Sequence, residues 1–210
     1  MATSGEHATP ALGGKELVVL MALLMALQAL AIDGMLPALD EIARTFGVTE
    51  PNRRQFVVGL FLLCAGGGSL IPGVLADRFG RKTLLMVTLG LYAITSIACA
   101  LVTSFPMMLA ARALQGLSSA GLLVLPSAII RDQFDGDRMA RTFSLISAVF
   151  ITVPVIAPSI GQAVLEVAGW RWIFVGLGIM GVAMMVWAGL RLPETLHPQF
   201  RQEIRPAILA

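Results

Sequence analysis

Six blocks of apolar residues, each about 20 long, constrain this chain more than anything else in it. At about 1.5 Å rise per residue, a helix of that length crosses a hydrocarbon layer of about 30 Å. A helix in a soluble core needs only about 10–14 apolar residues. The blocks run Leu17–Leu36, Phe56–Leu75, Thr83–Val102, Met107–Ile130, Phe143–Val164 and Trp172–Leu192. Composition agrees: 57% of residues are hydrophobic and only 13% charged, where a soluble chain carries roughly a quarter charged. The mean hydropathy is +0.82. The alternating segments of a membrane β-barrel, about ten residues each, are missing. The expected fold is an all-α membrane protein, a six-helix transmembrane bundle over 17–192. Residues 1–16 form a polar leading segment and 193–210 a polar tail. The first block is too long for a signal-peptide core and no convincing cleavage site precedes Asp33, so it is expected to stay as a helix.

Lys and Arg set the orientation. One set of connections holds Lys15, Arg78, Arg81, Lys82, Arg131, Arg138, Arg141, Arg191, Arg201 and Arg205, and the other holds Arg44, Arg53, Arg54 and Arg171. Ten against four places both termini in the cytoplasm.

The stretch Gly73–Lys82, GVLADRFGRK, puts four charges into ten residues of an otherwise apolar region. Its three cations are in part topology markers. Asp77 is not, because it stands at the C-terminal end of the second helix, where the macrodipole disfavours an anion. Gly80 can take φ > 0 and close a short turn between antiparallel helices. Gly73, seven residues earlier on a similar face, would admit a neighbouring helix. Helix four ends on the same side at Arg131, so an Asp77–Arg131 pair is expected to offset the charge and clamp helices two and four.

These residues resemble the major facilitator superfamily. GVLADRFGRK is similar to that family's signature loop between helices 2 and 3, with Gly73, Asp77, Arg78, Gly80 and Arg81 in place. Arg112-Ala-Leu-Gln115-Gly116 is similar to its helix-4 motif, and Asp33 with Leu36-Pro37 resembles the helix-1 motif of drug/proton antiporters. Pro154-Val-Ile-Ala157-Pro158-Ser-Ile-Gly161 resembles the helix-5 antiporter motif of the bicyclomycin-resistance branch, with Ala157 and Gln162 where many members have Gly. Ile130-Arg131-Asp132 and Leu192-Pro193-Glu194-Thr195-Leu196 suit the same branch. The resemblance covers Leu17 to Leu196. It implies two inverted three-helix repeats that make up the N-terminal half of a twelve-helix transporter. Val74-Leu75 before Gly80-Arg81 and Val164-Leu165 before Gly169-Trp170-Arg171 faintly echo that repeat.

The implied activity is proton-coupled multidrug efflux across the inner membrane, driven by the proton gradient without a cofactor. The expected partners are the lipid bilayer, protons, a drug-like small molecule, and a C-terminal half or second copy. The alternative is a half-size or truncated product, inactive unless paired with a second six-helix half.

Ionisable residues within spans are costly and point to function. Asp33 and Arg112 stand at matching depth, about 5–9 Å below the outer interface at ~1.5 Å per residue. The resemblance implies that helices 1 and 4 line the central cavity. Asp33 is then the titrating carboxylate, with Arg112 holding it ionised when substrate is absent. Gln115 shares the face of Arg112 and could bond substrate or water. Gln28 faces either the cavity or a neighbouring helix. Pro154, Pro158 and Gly161 would make helix 5 a kinked hinge. Cys64 and Cys99 read as small buried hydrophobes, and Trp170, Trp172 and Trp187 as interface anchors or lipid-facing bulk. No metal-ligand cluster, nucleophile–base arrangement or phosphate loop stands in the spans, and GGGS (Gly66–Ser69) reads as a helix-packing stretch. Neither an enzyme nor a nucleic-acid binder is expected.

Overall fold

A computed structural model of the protein describes residues 13–196, and among them every regular element is helical. α1 (Gly14–Asp33) leads through a 3-10 turn (Leu36–Ala38) into the short α2 (Leu39–Thr45). Then come α3 (Pro51–Gly68), α4 (Leu70–Phe79), α5 (Arg81–Leu101), α6 (Phe105–Gln133), α7 (Gly136–Ala168) and α8 (Trp170–Arg191). Five helical segments are long and apolar enough to cross a membrane, and α3 with α4, taken as one span, makes the sixth.

That second span is bent by 44°, although its hydropathy alone reads as one helix. Pro72 has no N–H to offer the carbonyl of Gly68, and three consecutive glycines weaken the helix before it. Ser69 closes the break by giving its N–H (3.2 Å) and its hydroxyl (2.7 Å) to the carbonyl of Gly66. GGGS is thus the site of a bend, and only Gly68 of its glycines meets a neighbour, at Leu117 and Ala120 of α6. Opposite behaviour appears in α7, which stays helical through Pro154 and Pro158. It also begins two turns before Phe143, so Arg138 and Arg141 lie on a helix and not in a loop.

The six spans form two inverted repeats, α1 to α5 and α6 to α8. Exchanging them maps the close pair α3–α6 onto the close pair α7–α1, and α5–α8 onto itself. The faint echo in the sequence marks the corresponding turns. Gly80 (φ 99°, ψ 148°) and Gly169 (φ 86°, ψ 170°) each end one helix and begin the next. Each gives its N–H to the carbonyl four residues back at 3.0 Å. Two residues beyond each glycine stands a cation that reaches the far end of the antiparallel partner. Lys82 Nζ donates to Gly189 O at 2.9 Å, and Arg171 Nη2 donates to Val102 O at 3.3 Å. α5 and α8 therefore satisfy each other's C-terminal carbonyls.

Trp170 is buried, with edge-on contacts to Phe46 and Phe174, and its indole donates to Thr45 Oγ1. It is a core residue and not an interface anchor. Trp187 donates to Glu16, which also takes a bidentate bond from Arg191 at 2.8 and 2.9 Å. Only Trp172 is largely exposed, at 56%. Gly73 has nothing within 4 Å of where a Cβ would stand, so no helix closes on it. The close approach lies at Gly161, where a Cβ would overlap the backbone of Gly34. Gly161 is thus a crossing point of α7 on α1, in a segment that stays helical through both prolines.

The turn glycine and the helix glycine should respond differently to substitution. Gly80→Ala, strained by its φ, is expected to lower thermal stability in detergent by roughly 1 kcal/mol or more. Gly73→Ala is expected to leave it unlowered. A fluorescence-monitored size-exclusion melt of both variants reads the difference.

Candidate functional site

Arg112 sits at the middle of the bundle with no solvent exposure. A buried guanidinium is tolerable only when its donors are met. Nε donates to Val57 O in α3 at 3.0 Å, Nη2 to Ala31 O in α1 at 3.2 Å and Nη1 to Gln115 Oε1 at 2.6 Å. The rings of Phe61 in α3 and Phe174 in α8 flank it, with centroids 4.2 and 5.7 Å from Cζ. Gln115 passes the network to α5 by donating to Ser96 Oγ at 2.7 Å and accepting from the Cys99 thiol at 3.6 Å. Ser96 in turn donates to Tyr92 O. One i,i+3 pair on α6 thereby joins α1, α3, α5 and α8.

This arrangement corrects two expectations. Arg112 and Asp33 stand at the same level, since Ala31 is two residues from Asp33, but no ion pair joins them among the described residues. The guanidinium binds the carbonyl end of α1 instead. Ala31 O is one of the last four carbonyls of that helix, where a cation is favoured. Gln115 is likewise consumed inside the bundle and is not open to a substrate. Cys99 joins the network, while Cys64 is only half-buried. Spacing along α1 and α6 predicts common depth; the azimuth that separates a pair from a cap depends on how the helices are rotated.

Asp33 is the last residue of α1, half-buried, and no hydrogen bond or ion pair engages its carboxylate among the described residues. Its charge is not fixed by a partner, which leaves proton uptake and release open. Gln28, five residues earlier, is buried with its Oε1 unpaired among the described residues. It faces neither open space nor a bonding partner for that oxygen.

At the Gly80 turn, Asp77 pairs with Arg81 at 2.7 Å, and Arg81 Nε reaches Asp132 at 3.2 Å. The expected Asp77–Arg131 pair is not formed. Arg131 turns back to Ser127 O on its own helix, and its neighbour Asp132, about 100° further round, faces the hairpin. Arg78 is exposed and lies over the ring of Phe79. Sequence reasoning missed the residue that completes this cluster. Glu194, beyond α8, accepts the backbone N–H groups of Arg81 (2.8 Å) and Lys82 (3.4 Å), capping α5 from 113 positions away. Thr195 adds a bond to Asp132. A carboxylate at a helix N-terminus is favoured, but nothing local in LPETL says which helix it will find.

The Major Facilitator Superfamily family model matches residues 21–209. The chain belongs to the major facilitator superfamily. It is 36% identical over 192 residues to the uncharacterized MFS-type transporter YdgK of Bacillus subtilis, covering 87% of this chain and 46% of that one. It is 32% identical over 172 residues to the multidrug resistance protein MdtL of Escherichia coli O157:H7, covering 82% and 44%. The bicyclomycin resistance protein homolog of Haemophilus influenzae is 28% identical over 193 residues, covering 92% and 48%. The human organic anion transporter MFSD10 superposes with a TM-score of 0.67 at 21% identity, over 88% of this chain and 49% of that one. The chain spans about half the length of the curated relatives it matches. As a superfamily half, its two inverted repeats account for one of the two bundles of the twelve-helix fold.

Removing the distant cap tests the cluster. Glu194→Ala is expected to destabilise the protein by about 1 kcal/mol and to expose the 193–196 segment to limited proteolysis. Arg131→Ala, which removes a side-chain hydrogen bond within α6 only, should do neither.

Proposed function

We propose that this chain supplies one six-helix half of a proton-coupled antiporter that exports drug-like molecules across the inner membrane. The observation that carries the reading is Asp33, an ionisable side chain within the membrane that no described cation neutralises. An intramembrane carboxylate of this kind is costly unless its titration is used. The names of MdtL and of the Haemophilus relative, a multidrug resistance protein and a bicyclomycin resistance homolog, support the substrate class. The ten-to-four distribution of Lys and Arg supports cytoplasmic termini.

In this reading Asp33 exchanges a proton against a cationic or neutral substrate. Proton uptake releases the substrate outward, deprotonation restores the site, and the proton gradient is the only energy source, with no cofactor. Arg112 acts as a positioning residue: it holds the carbonyl end of α1, and with it the backbone that carries Asp33. Gln115 fixes the guanidinium. The Asp77–Arg81–Asp132 cluster and the Glu194 cap fasten one end of the bundle, and their release accompanies the change of access. Gly161 keeps α7 against α1 next to Asp33. A second six-helix half covers the faces left open here, such as that of α7, where Ile151 and Val155 are 70% and 75% exposed.

The test is efflux by the complete transporter. Asp33→Asn is expected to abolish proton-driven export of every substrate while leaving folded yield unchanged. Asp33→Glu is expected to retain part of it with a shifted pH profile. Proton-coupled export by Asp33→Asn at the parent rate would contradict the proposal.

A further inference from the structure

α1 and α7 touch at Gly34 and Gly161 but diverge toward the end of the bundle where both helices begin. The gap between them is a groove of about 970 Å³. Its walls are apolar, with Val18, Val19 and Leu23 from α1 and Leu145 and Val149 from α7. Its mouth is basic: Lys15, Arg138 and Arg141 line it. All three are exposed, and none forms an ion pair among the described residues. The N-termini of α1 and α7 open at the same mouth, and neither carries a side-chain cap. Two positive helix ends therefore add to three cations. The nearby acids are Asp135, Asp137 and Glu16, and Glu16 is already held by Arg191 and Trp187.

The geometry points to a binding site for one anionic phospholipid, its phosphate held by Lys15, Arg138 and Arg141 and an acyl chain laid along the α1–α7 groove. Depth supports this occupant. From Lys15 to Leu23 and from Arg138 to Val149 the walls run about 12–16 Å at ~1.5 Å per residue. That is about half of a ~30 Å hydrocarbon core, the reach of a chain in one leaflet. Charge supports it too, since a basic pocket between transmembrane helices at a membrane face is matched by an anionic headgroup. An uncharged lipid would leave the three cations and two helix ends with only the exposed Asp135 and Asp137 nearby as counter-ions. The site lies at the opposite end of α1 from Asp33, so it is separate from the proton-exchange proposal.

Native mass spectrometry of the whole transporter, released from nanodiscs of equal phosphatidylglycerol and phosphatidylcholine, reads the occupant directly. One phosphatidylglycerol is expected to be retained in preference to phosphatidylcholine. The triple variant Lys15→Gln, Arg138→Gln, Arg141→Gln is expected to lose at least tenfold in that retention, each cation contributing roughly fivefold. Val19→Trp, which fills the groove and keeps the charges, is expected to lose it as well. Arg78→Gln, a cation removed from the same end but outside the groove, should retain it. Equal retention of both lipids would overturn the site. So would full retention by the triple variant, or by Val19→Trp, which would reduce the effect to general surface charge. No retained lipid in the parent would overturn it too.

Discussion

A guanidinium with no solvent and no carboxylate holds this bundle together. Arg112 can stay charged at the centre of six apolar helices only because its donors meet Ala31 O, Val57 O and Gln115, and because two aromatic faces flank it. Those partners lie on α1, α3 and α8 and on Arg112's own helix α6, so satisfying one side chain fixes the mutual positions of the four helices, with α5 joined through Ser96. Dispersion between apolar helices is not directional, and lipid competes with it on nearly equal terms. A buried fork of donors is directional, and in this bundle it selects one arrangement. It also leaves Asp33 without an ion pair among the described residues. Had the cation been spent on the carboxylate, the proton site proposed for α1 would be a structural ion pair.

Helix ends present the second constraint. The last carbonyls and first amides of a helix have no intrahelical partner, so a side chain from elsewhere that meets them fastens that end. The inverted repeat solves this twice in the same way: Lys82 serves the end of α8, and Arg171 the end of α5. The Glu194 carboxylate serves the start of α5. These bonds lie at the two ends of the tightest antiparallel pair. Those of Lys82 and Glu194 fasten the Gly80 turn to the end of α8 and the segment leaving it, so that turn and segment are held as one unit.

Much of the fold was legible in the residues themselves. Block length gave most spans to within a few positions, though α7 starts seven residues before Phe143, and Gly80 and Gly169 marked the two related turns because only glycine takes those φ values without strain. The shared face of Arg112 and Gln115 followed from their i,i+3 spacing. What escaped was everything that depends on rotation about a helix axis or on distant partners. Asp77 found Arg81, one turn away, before Arg131. Asp33 and Arg112 matched in depth but not in direction. Glu194 capped a helix 113 positions upstream. The bend at Ser69 was in principle readable from GGGSLIP, since Pro72 withdraws the donor that Gly68 needs, but mean hydropathy does not register a missing hydrogen bond.

The central claim is that Arg112 holds the carbonyl end of α1 and does not pair with Asp33. A double-mutant cycle on detergent melting, with Asp33→Asn, Arg112→Gln and both together, addresses it directly. The account predicts a large loss on removing Arg112 whether or not Asp33 is charged, with coupling between the two below about 0.5 kcal/mol. If Asp33→Asn destabilised as strongly as Arg112→Gln and the double variant lost no more than either, the two residues would be an ion pair and the account would fail.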